Sequence, residues 1–468
     1  MFAAVTSARK LSTPRAVCNQ MIRTRLSLLL LLAVACNAAS AAATAIINVN
    51  IVPMHEEIVV PGQTVVIENG LISTIGSVDE VPVPEHAEVV DGTDRYLMPG
   101  LAEMHAHVPG TASPNLDRVL TLFVANGVTT IRGMLGQPSH LVLRQKLLSG
   151  DVFGPRLVTS GPSMNGNSVT NVADGVARVR AQHEAGYDFI KIHPGLSADE
   201  FMAIASTANE LGMPFAGHVP VAVGVEDALR AGMATIDHLD GYLAALLPAN
   251  SDTSGGYGGF FDVLLAEQVN ADRVAELAAK TAASGTWNVP TESLFEHRVS
   301  AASVVEMSNR PEMLYMPAET VERWVSVKQQ QFDERGFDAQ IAARAIALRR
   351  SIILALHNAG ARLLLGSDAP QVFNVPGFSI HHELAFLVEA GLTPFEALQI
   401  GTTAVAEFLG TNAGTVAVGR DADLVLLDAN PLADISNTRR VHGVMLRGAW
   451  YSSVQLEQRL LPFRQKID

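Results

Sequence analysis

From Leu97 to Asp368 the chain repeats one alternation: a short apolar run, then a longer segment whose apolar residues recur at helical spacing. The runs are LMPGLAEMHAH, GVTTIRG, PRLVTSG, YDFIKIH, PFAGHV, ATIDHL, TWNVPTE and RLLLGSD. Short apolar runs separated by helices are the pattern of βα units with parallel strands, and eight such units close a barrel. The expected fold class is α/β, with a (β/α)8 TIM barrel over residues 99–410. The flanks differ. Residues 44–98 carry β-type runs such as AIINVNIV and QTVVIENGLISTIG, in which Asn69 and Gly70 between alternating apolar residues signal a hairpin. After the helix-like TPFEALQIGTTAVAEFLG, the chain returns to β type in GTVAVGRDADLVLLD and VHGVMLRGAWY. Segments 44–98 and 411–455 are expected to join into one small composite β-sandwich domain.

In such a barrel the chemistry sits at the C-terminal ends of the strands. His105 and His107 end the first run, Lys191 and His193 the fourth, His218 the fifth, His238 the sixth and Asp368 the eighth. Residues at i and i+2 of a strand face one side with α-carbons roughly 6.5 Å apart, so His105 and His107 are spaced to share one ion at about 2.0–2.1 Å from each nitrogen. Each residue also has a plainer reading. The chain holds 14 histidines, and a lone imidazole is more often structural than a ligand. Lys191 at a strand end is within reach of solvent, and Asp368 is suited to cap a helix beginning at APQV. Yet in FIKIH Lys191 shares a face with Phe189 and His193 while Ile190 and Ile192 face the other way, and a lysine in a buried strand is rarely left unpaired. What favours a shared site is that all these residues fall at the same end of one barrel.

The formal net charge of -14, without clustered Lys and Arg, argues against nucleic-acid binding. From Met21, MIRTRLSLLLLLAVACNAASAAA offers Arg23 and Arg25, an apolar run too short to span a bilayer, and an A-x-A pattern at Ala39 to Ala41. Residues 1–41 are therefore expected to be a signal peptide, with Met21 as an alternative start. Cleavage is expected between about Ala39 and Ala43, and the protein is expected to be exported, periplasmic or secreted. AVAC around Cys36 resembles a lipoprotein cleavage site only weakly, having Ala where Leu is usual. Cys18 and Cys36 are the only cysteines, so a chain cleaved after about Ala41 would have no disulfide and no thiolate for a metal.

Ordered motifs spread over several strands carry a family resemblance. ENGLISTIG, LMPGLAEMHAH, GVTTIRG, GPRLVTSG, DFIKIH, AGHV, ATIDHLDGY, LLLGSDAP, HHELAFLVEAGLTPFEALQIGT and GRDADLVLLDANPLADI together resemble the metal-dependent amidohydrolase superfamily. Within it the chain is similar to the imidazolonepropionase-like group, which includes Xaa-Pro and Xaa-Arg/Lys dipeptidases, and the likeness covers nearly the whole mature chain. It implies a TIM barrel with a composite β-sandwich. It also implies two divalent metal ions, expected as Zn2+, bound by His105, His107, Lys191, His218, His238 and Asp368. In similar enzymes the lysine is carboxylated by CO2 and bridges the ions. The implied reaction is hydrolysis of a carbon–nitrogen bond in a dipeptide or N-acyl amino acid, with a metal-activated water and Asp368 as proton shuttle.

Two other function classes stay open: a single-metal cyclic-amide hydrolase or deaminase in which Lys191 is structural, and a non-catalytic exported binding protein that retained the barrel. The expected partner is a small-molecule or dipeptide substrate, without nucleic acid or a transmembrane span; a homo-oligomer is an open option. Some features depart from the family pattern. TTIRGM has Gly133 where many relatives carry Asp, which leaves Arg132 without an evident partner, and the loop GPSMNGNSV lacks the His and paired Gly of many relatives. Arg132, His193, Tyr242 and His381 are candidate substrate contacts. ANSDTSGGYGGFF and residues 294–349 are candidate lids.

Overall fold

The computed structural model describes residues 43–248, 251 and 258–465. The expected export signal, both cysteines and most of ANSDTSGGYGGFF lie outside these residues. No helix among the described residues is long and apolar enough to cross a membrane.

Strands β1 (Thr44–Ile51), β2 (Val60–Glu68), β3 (Leu71–Ser77), β4 (Glu88–Asp91) and β5 (Tyr96–Pro99) come from the N-terminal segment. The turn between β2 and β3 is the expected Asn-Gly pair: Glu68 pairs with Leu71, and Asn69 and Gly70 have φ of 52° and 78°. Both central residues are left-handed, which these two side chains tolerate best and which matches the twist of the flanking strands. The next strand, β6 (Leu101–Ala106), belongs to a different sheet. The single first run expected from sequence is thus two strands, divided at Gly100. A Cβ at Gly100 would stand 2.2 Å from Thr129 Cγ2, so only glycine lets the chain cross between sheets at this point.

The parallel part continues with β7 (Val128–Gly133), β8 (Arg156–Thr159), β9 (Ile190–Ile192), β10 (Phe215–Gly217), β11 (Thr235–Asp237) and β12 (Trp287–Val289). One sheet has the order β6-β7-β8 and another β12-β11-β10-β9. Isolated parallel bridges pair Ser160 with Phe189 and Met164 with Ile192, continuing the pairing from β8 to β9. Others pair Asn288 with Leu363 and Ala106 with Ala369, linking β12 to the eighth apolar run and that run to β6. The eighth run is not a regular strand. It is nevertheless held on both sides, by Leu364 N–H to Asn288 O at 2.9 Å and by Met104 N–H to Leu365 O at 2.8 Å.

The connecting helices are α1 (Leu116–Ala125), α2 (Pro138–Ser149), α3 (Val172–Ala185), α4 (Ala198–Glu210), α5 (Val225–Arg230), α6 (Tyr242–Ala245) and α7 (Val274–Ser284). After β12 come α8 (Glu292–Val299), α9 (Val304–Ser308), α10 (Ala318–Phe332) and α11 (Ala339–Asn358). The eighth run is followed by α12 (Phe378–Glu389), α13 (Pro394–Ile400) and α14 (Thr403–Leu409). Helix α4 shows the local logic. Ser197 and Glu200 form a reciprocal capping box at its start, and Phe201, Ile204, Ala205 and Ala208 turn inward. They join a core that includes Ile190 and Ile192, the face of β9 opposite Lys191. Met307, Met313, Met316 and Trp324 pack with Val372, Phe373 and Val375, so the long segment after β12 lies against the loop that follows Asp368.

The chain returns in β13 (Leu424–Leu427), β14 (Val441–Leu446) and β15 (Ala449–Ser452), which complete an eight-stranded sheet of order β15-β14-β13-β5-β1-β2-β3, with β4 beside β1. Strands from both chain ends share one apolar core built from Ile46, Val65, Leu97, Leu424, Leu426 and Met445.

Candidate metal centre

The structure brings the six residues expected to bind metal into one cluster at the ends of the parallel strands. The His105 and His107 rings are 5.7 Å apart, and His238, just past β11, is 4.5 Å from both His105 and His218. Asp368 Oδ1 lies 2.7 Å from His107 Nε2 and 3.8 Å from His105 Nε2, while its Oδ2 lies 3.8 Å from His238 Nδ1. The 2.7 Å approach does not have hydrogen-bond geometry, since Asp368 Oδ1 is buried without a hydrogen-bond partner. Two ligands of one cation converge in this way, and the donor atoms of His105, His107 and Asp368 all lie within 4.8 Å of one another. Lys191 Nζ and His238 Nε2 are also buried and unpartnered. Buried polar atoms are normally satisfied; a cation here would satisfy Asp368 Oδ1 and His238 Nε2, whereas Lys191 could face it only as a neutral amine or a carboxylated one.

Electrostatics point the same way. Burial drives His105 and His238 far below the ordinary imidazole range, His218 to about 3 and His193 to about 2. The rings are therefore neutral at pH 7 and offer lone pairs. Burial also lowers the Lys191 ammonium, against the pull of Asp237. Gly217 makes room for that side chain: at φ +121° it is in glycine territory, and a Cβ would stand 2.9 Å from Lys191 Nζ.

Several residues that matter here were not singled out from sequence. Asp237 Oδ2 is 3.0 Å from His105 Nδ1 and 3.8 Å from Lys191 Nζ. Asp240 Oδ2 is 2.6 Å from His218 Nδ1, and burial raises this carboxyl to about 7. Glu103 accepts from His105 N at 2.9 Å, from Ser367 N at 2.8 Å and from Ser367 Oγ, which ties the first strand end to the eighth; burial raises it to about 8. Carboxylates behind metal-binding imidazoles set their orientation and tautomer. The sequence signal was the acids flanking the histidines in LAEMHAH and TIDHLD, but which way they point is decided by the fold.

Three candidate substrate contacts are placed elsewhere. Arg132 is 1% exposed and gives its donors to Met104 O (2.7 Å), Thr235 Oγ1 (3.2 Å) and Asp237 Oδ1 (3.3 Å). Its missing partner is thus Asp237, and a guanidinium committed beneath the cluster is not a substrate contact. The Tyr242 hydroxyl is buried with Thr281 Oγ1 at 3.0 Å and Asn288 Oδ1 at 2.9 Å, and His381 is buried with its Nδ1 2.9 Å from Thr438 Oγ1. His193 does stand at the cluster, 4.9 Å from His218. Phe261 stacks on His238 at 4.7 Å, with Phe260 beside it at 4.1 Å, so aromatic rings cover that side.

Parallel βα units whose strand ends bring buried imidazoles, a lysine and an aspartate together form a candidate metal centre. The chain belongs to the amidohydrolase family, whose family model matches residues 96–451. It is a hydrolase acting on carbon–nitrogen bonds. Among solved structures it is similar to a bottromycin amidohydrolase at 24% identity and TM-score 0.69, over 91% of each chain. It is also similar to a putative prolidase from Bifidobacterium longum at 22% identity and TM-score 0.63, over 91% of this chain and 99% of the other. A Xaa-Pro dipeptidase with bound methionine in the active site matches at 19% identity and TM-score 0.60, over 88% of this chain and all of the other (100%). No curated protein matches.

Proposed function

We propose that the protein cleaves the amide or peptide bond of a dipeptide or N-acyl amino acid at a centre of two divalent ions, with Zn2+ the expected metal. The observation that carries this reading is the convergence of unpartnered, buried donor atoms from Lys191, His238 and Asp368 beside His105, His107 and His218. Those six residues would hold the ions, which when bound make water reactive at neutral pH and polarise a carbonyl. Lys191 would carry a carboxylate formed from its neutral amine and CO2 with loss of a proton, and so would supply the centre with an anionic ligand. Asp368 takes the proton of the attacking water on its carboxylate and passes it to the leaving nitrogen, general base and then general acid. His193, next to His218, is positioned to meet the substrate. Relatives described as prolidase and Xaa-Pro dipeptidase favour a dipeptide among carbon–nitrogen substrates.

The architecture that supports this is a (β/α)8 barrel over residues 99–410 with a composite β domain from 44–98 and 411–455. The parallel bridges from β8 to β9 and on both sides of the eighth run, together with the shared terminal sheet, favour it. Residues 1–41 act as an export signal, which N-terminal sequencing of the exported protein tests; a mature chain retaining Met1 to Leu32 would contradict it. The decisive experiment for the activity is to strip the metal, count ions per chain on reloading with Zn2+, and screen a dipeptide and N-acyl-amino-acid library. Two ions and metal-restored hydrolysis are expected. One ion per chain at full activity would replace the binuclear centre with the single-metal alternative, and hydrolysis indifferent to chelation would remove the metal from the reaction.

A further inference from the structure

Thr291 stands where a helix should be capped and does not cap it. It is the N-cap residue of α8, and threonine and serine normally fill that role by accepting an N–H of the first turn. In this chain Ser197, Thr393 and Ser452 do so, each in a reciprocal capping box and each with φ near -70° (-69°, -70° and -68°). Thr291 instead has φ 51° and ψ 42°, and its side chain makes no cap bond. A left-handed β-branched residue is strained, and strain of this kind persists only where the surroundings impose it.

The hydroxyl has another use. Thr291 Oγ1 donates to Pro290 O at 2.7 Å and lies 2.8 Å from His238 Nδ1. Its hydrogen is spent on the carbonyl, so toward His238 it acts as acceptor, which places the imidazole proton on Nδ1. The lone pair is then on Nε2, the buried nitrogen without a partner. The helix end is looked after from outside: Glu383 of α12 accepts from Glu292 N at 2.9 Å and Ser293 N at 2.6 Å. Arg349 of α11 locks the arrangement, donating to His238 O at 2.7 Å, Pro290 O at 3.0 Å and Glu292 Oε2 at 2.8 Å.

We infer that Thr291 is a positioning residue that fixes the tautomer and ring orientation of His238, and that Glu383 has taken over the cap which Thr291 gave up. The inference rests on the reading of His238 as a metal ligand, but the tautomer is observable without metal. The test uses the full chain labelled with 15N-histidine, His238 being assigned by the signals lost in His238→Gln. In the metal-free wild type the His238 proton is expected on Nδ1. Thr291→Ser should keep that tautomer and the Zn2+ affinity. Thr291→Val should lose the single tautomer and weaken Zn2+ binding by about 10–100-fold, the range for losing a hydrogen-bond partner behind a ligand.

Thr291→Gly separates positioning from folding, and it carries the test if the valine variant does not fold. Glycine relieves the left-handed backbone that valine keeps strained, so metal-free Thr291→Gly should melt higher than Thr291→Val while binding Zn2+ as weakly. A wild-type tautomer and wild-type Zn2+ affinity in Thr291→Val or Thr291→Gly would overturn the inference. If the wild type binds no Zn2+ yet the tautomer still follows the hydroxyl, the positioning holds and only the metal reading fails.

Discussion

In the terminal sheet, Ile46, Val65, Leu97, Leu424 and Met445 are all fully buried (0% exposed), and the β2–β3 turn is the one its Asn-Gly pair demands. At the strand ends Lys191, His238 and Asp237 are buried to the same degree (0%), but here the buried atoms are polar, and Lys191 Nζ and His238 Nε2 have no hydrogen-bond partner. His238, Leu239, Thr291 and Asp368, at the ends of β11, β12 and the eighth run, have positive φ, but so do Asn48, Met54, Asn69, Asp94 and Arg447 among the terminal strands, so the contrast lies in the buried side chains and not in the backbone. In one region pattern and packing agree, with apolar side chains inward. In the other, buried polar atoms lack partners, the kind of local conflict that marks a candidate site.

The comparison breaks most visibly at Lys191. Lys191→Ala in the strand-end region should leave a folded protein that has lost at least one metal ion and most of its turnover, with formate or acetate restoring part of both by supplying the missing carboxylate. Metal content and turnover with and without added acid check this, and full activity with two ions would end the case for a bridging lysine. Next in size, Asp368→Asn should lower turnover by roughly 10²–10⁴, the range for losing a general acid–base group, while the thermal transition survives. Near-normal turnover at full metal content would remove Asp368 from the proton path.

The other side of the contrast is tested by Ile46→Ala. It should cost about 2–5 kcal/mol of stability through lost burial and a cavity, measured by denaturant unfolding, yet leave turnover per folded molecule unchanged. A drop in turnover would mean the terminal sheet is not independent of the strand-end chemistry.

The subtlest expected effect to read out is a tilt in pH dependence from Glu383, which burial raises from 4.5 to about 8. A carboxyl whose folded pKa is raised adds stability that is fully present below about 4.5 and is lost as pH climbs through about 8. The stability margin of wild type over Glu383→Gln should therefore shrink between pH 5 and pH 8, followed by melting both proteins across that range. The difference between the two is the quantity to follow, because Glu103 and Asp240 are raised by burial in the same sense and remain in both.

Much was legible in the sequence because much of it is periodic or sequential. Alternating run and helix announced the parallel units, Asn69-Gly70 announced the hairpin, and His105, His107, Lys191, His218, His238 and Asp368 stood at run ends that the fold gathers to one side. The first run misled because LMPGLAEMHAH is apolar throughout. Nothing in its periodicity marks the change of sheet at Gly100, where the room left beside the distant Thr129 admits only glycine.

What the sequence determined by itself was therefore the α/β class with its parallel units and, through its ordered motifs, the family, since each depends on residue type and order along the chain. What only the tertiary structure decided was the use of the polar residues around that set. Arg132 finds Asp237 across 105 residues, Glu103 finds Ser367 across 264, and Thr291 turns from its helix to His238 across 53. A buried hydrogen-bonding group must be satisfied by whatever the fold brings within about 3 Å, and that neighbour is set by how strands close on one another, which no local pattern records.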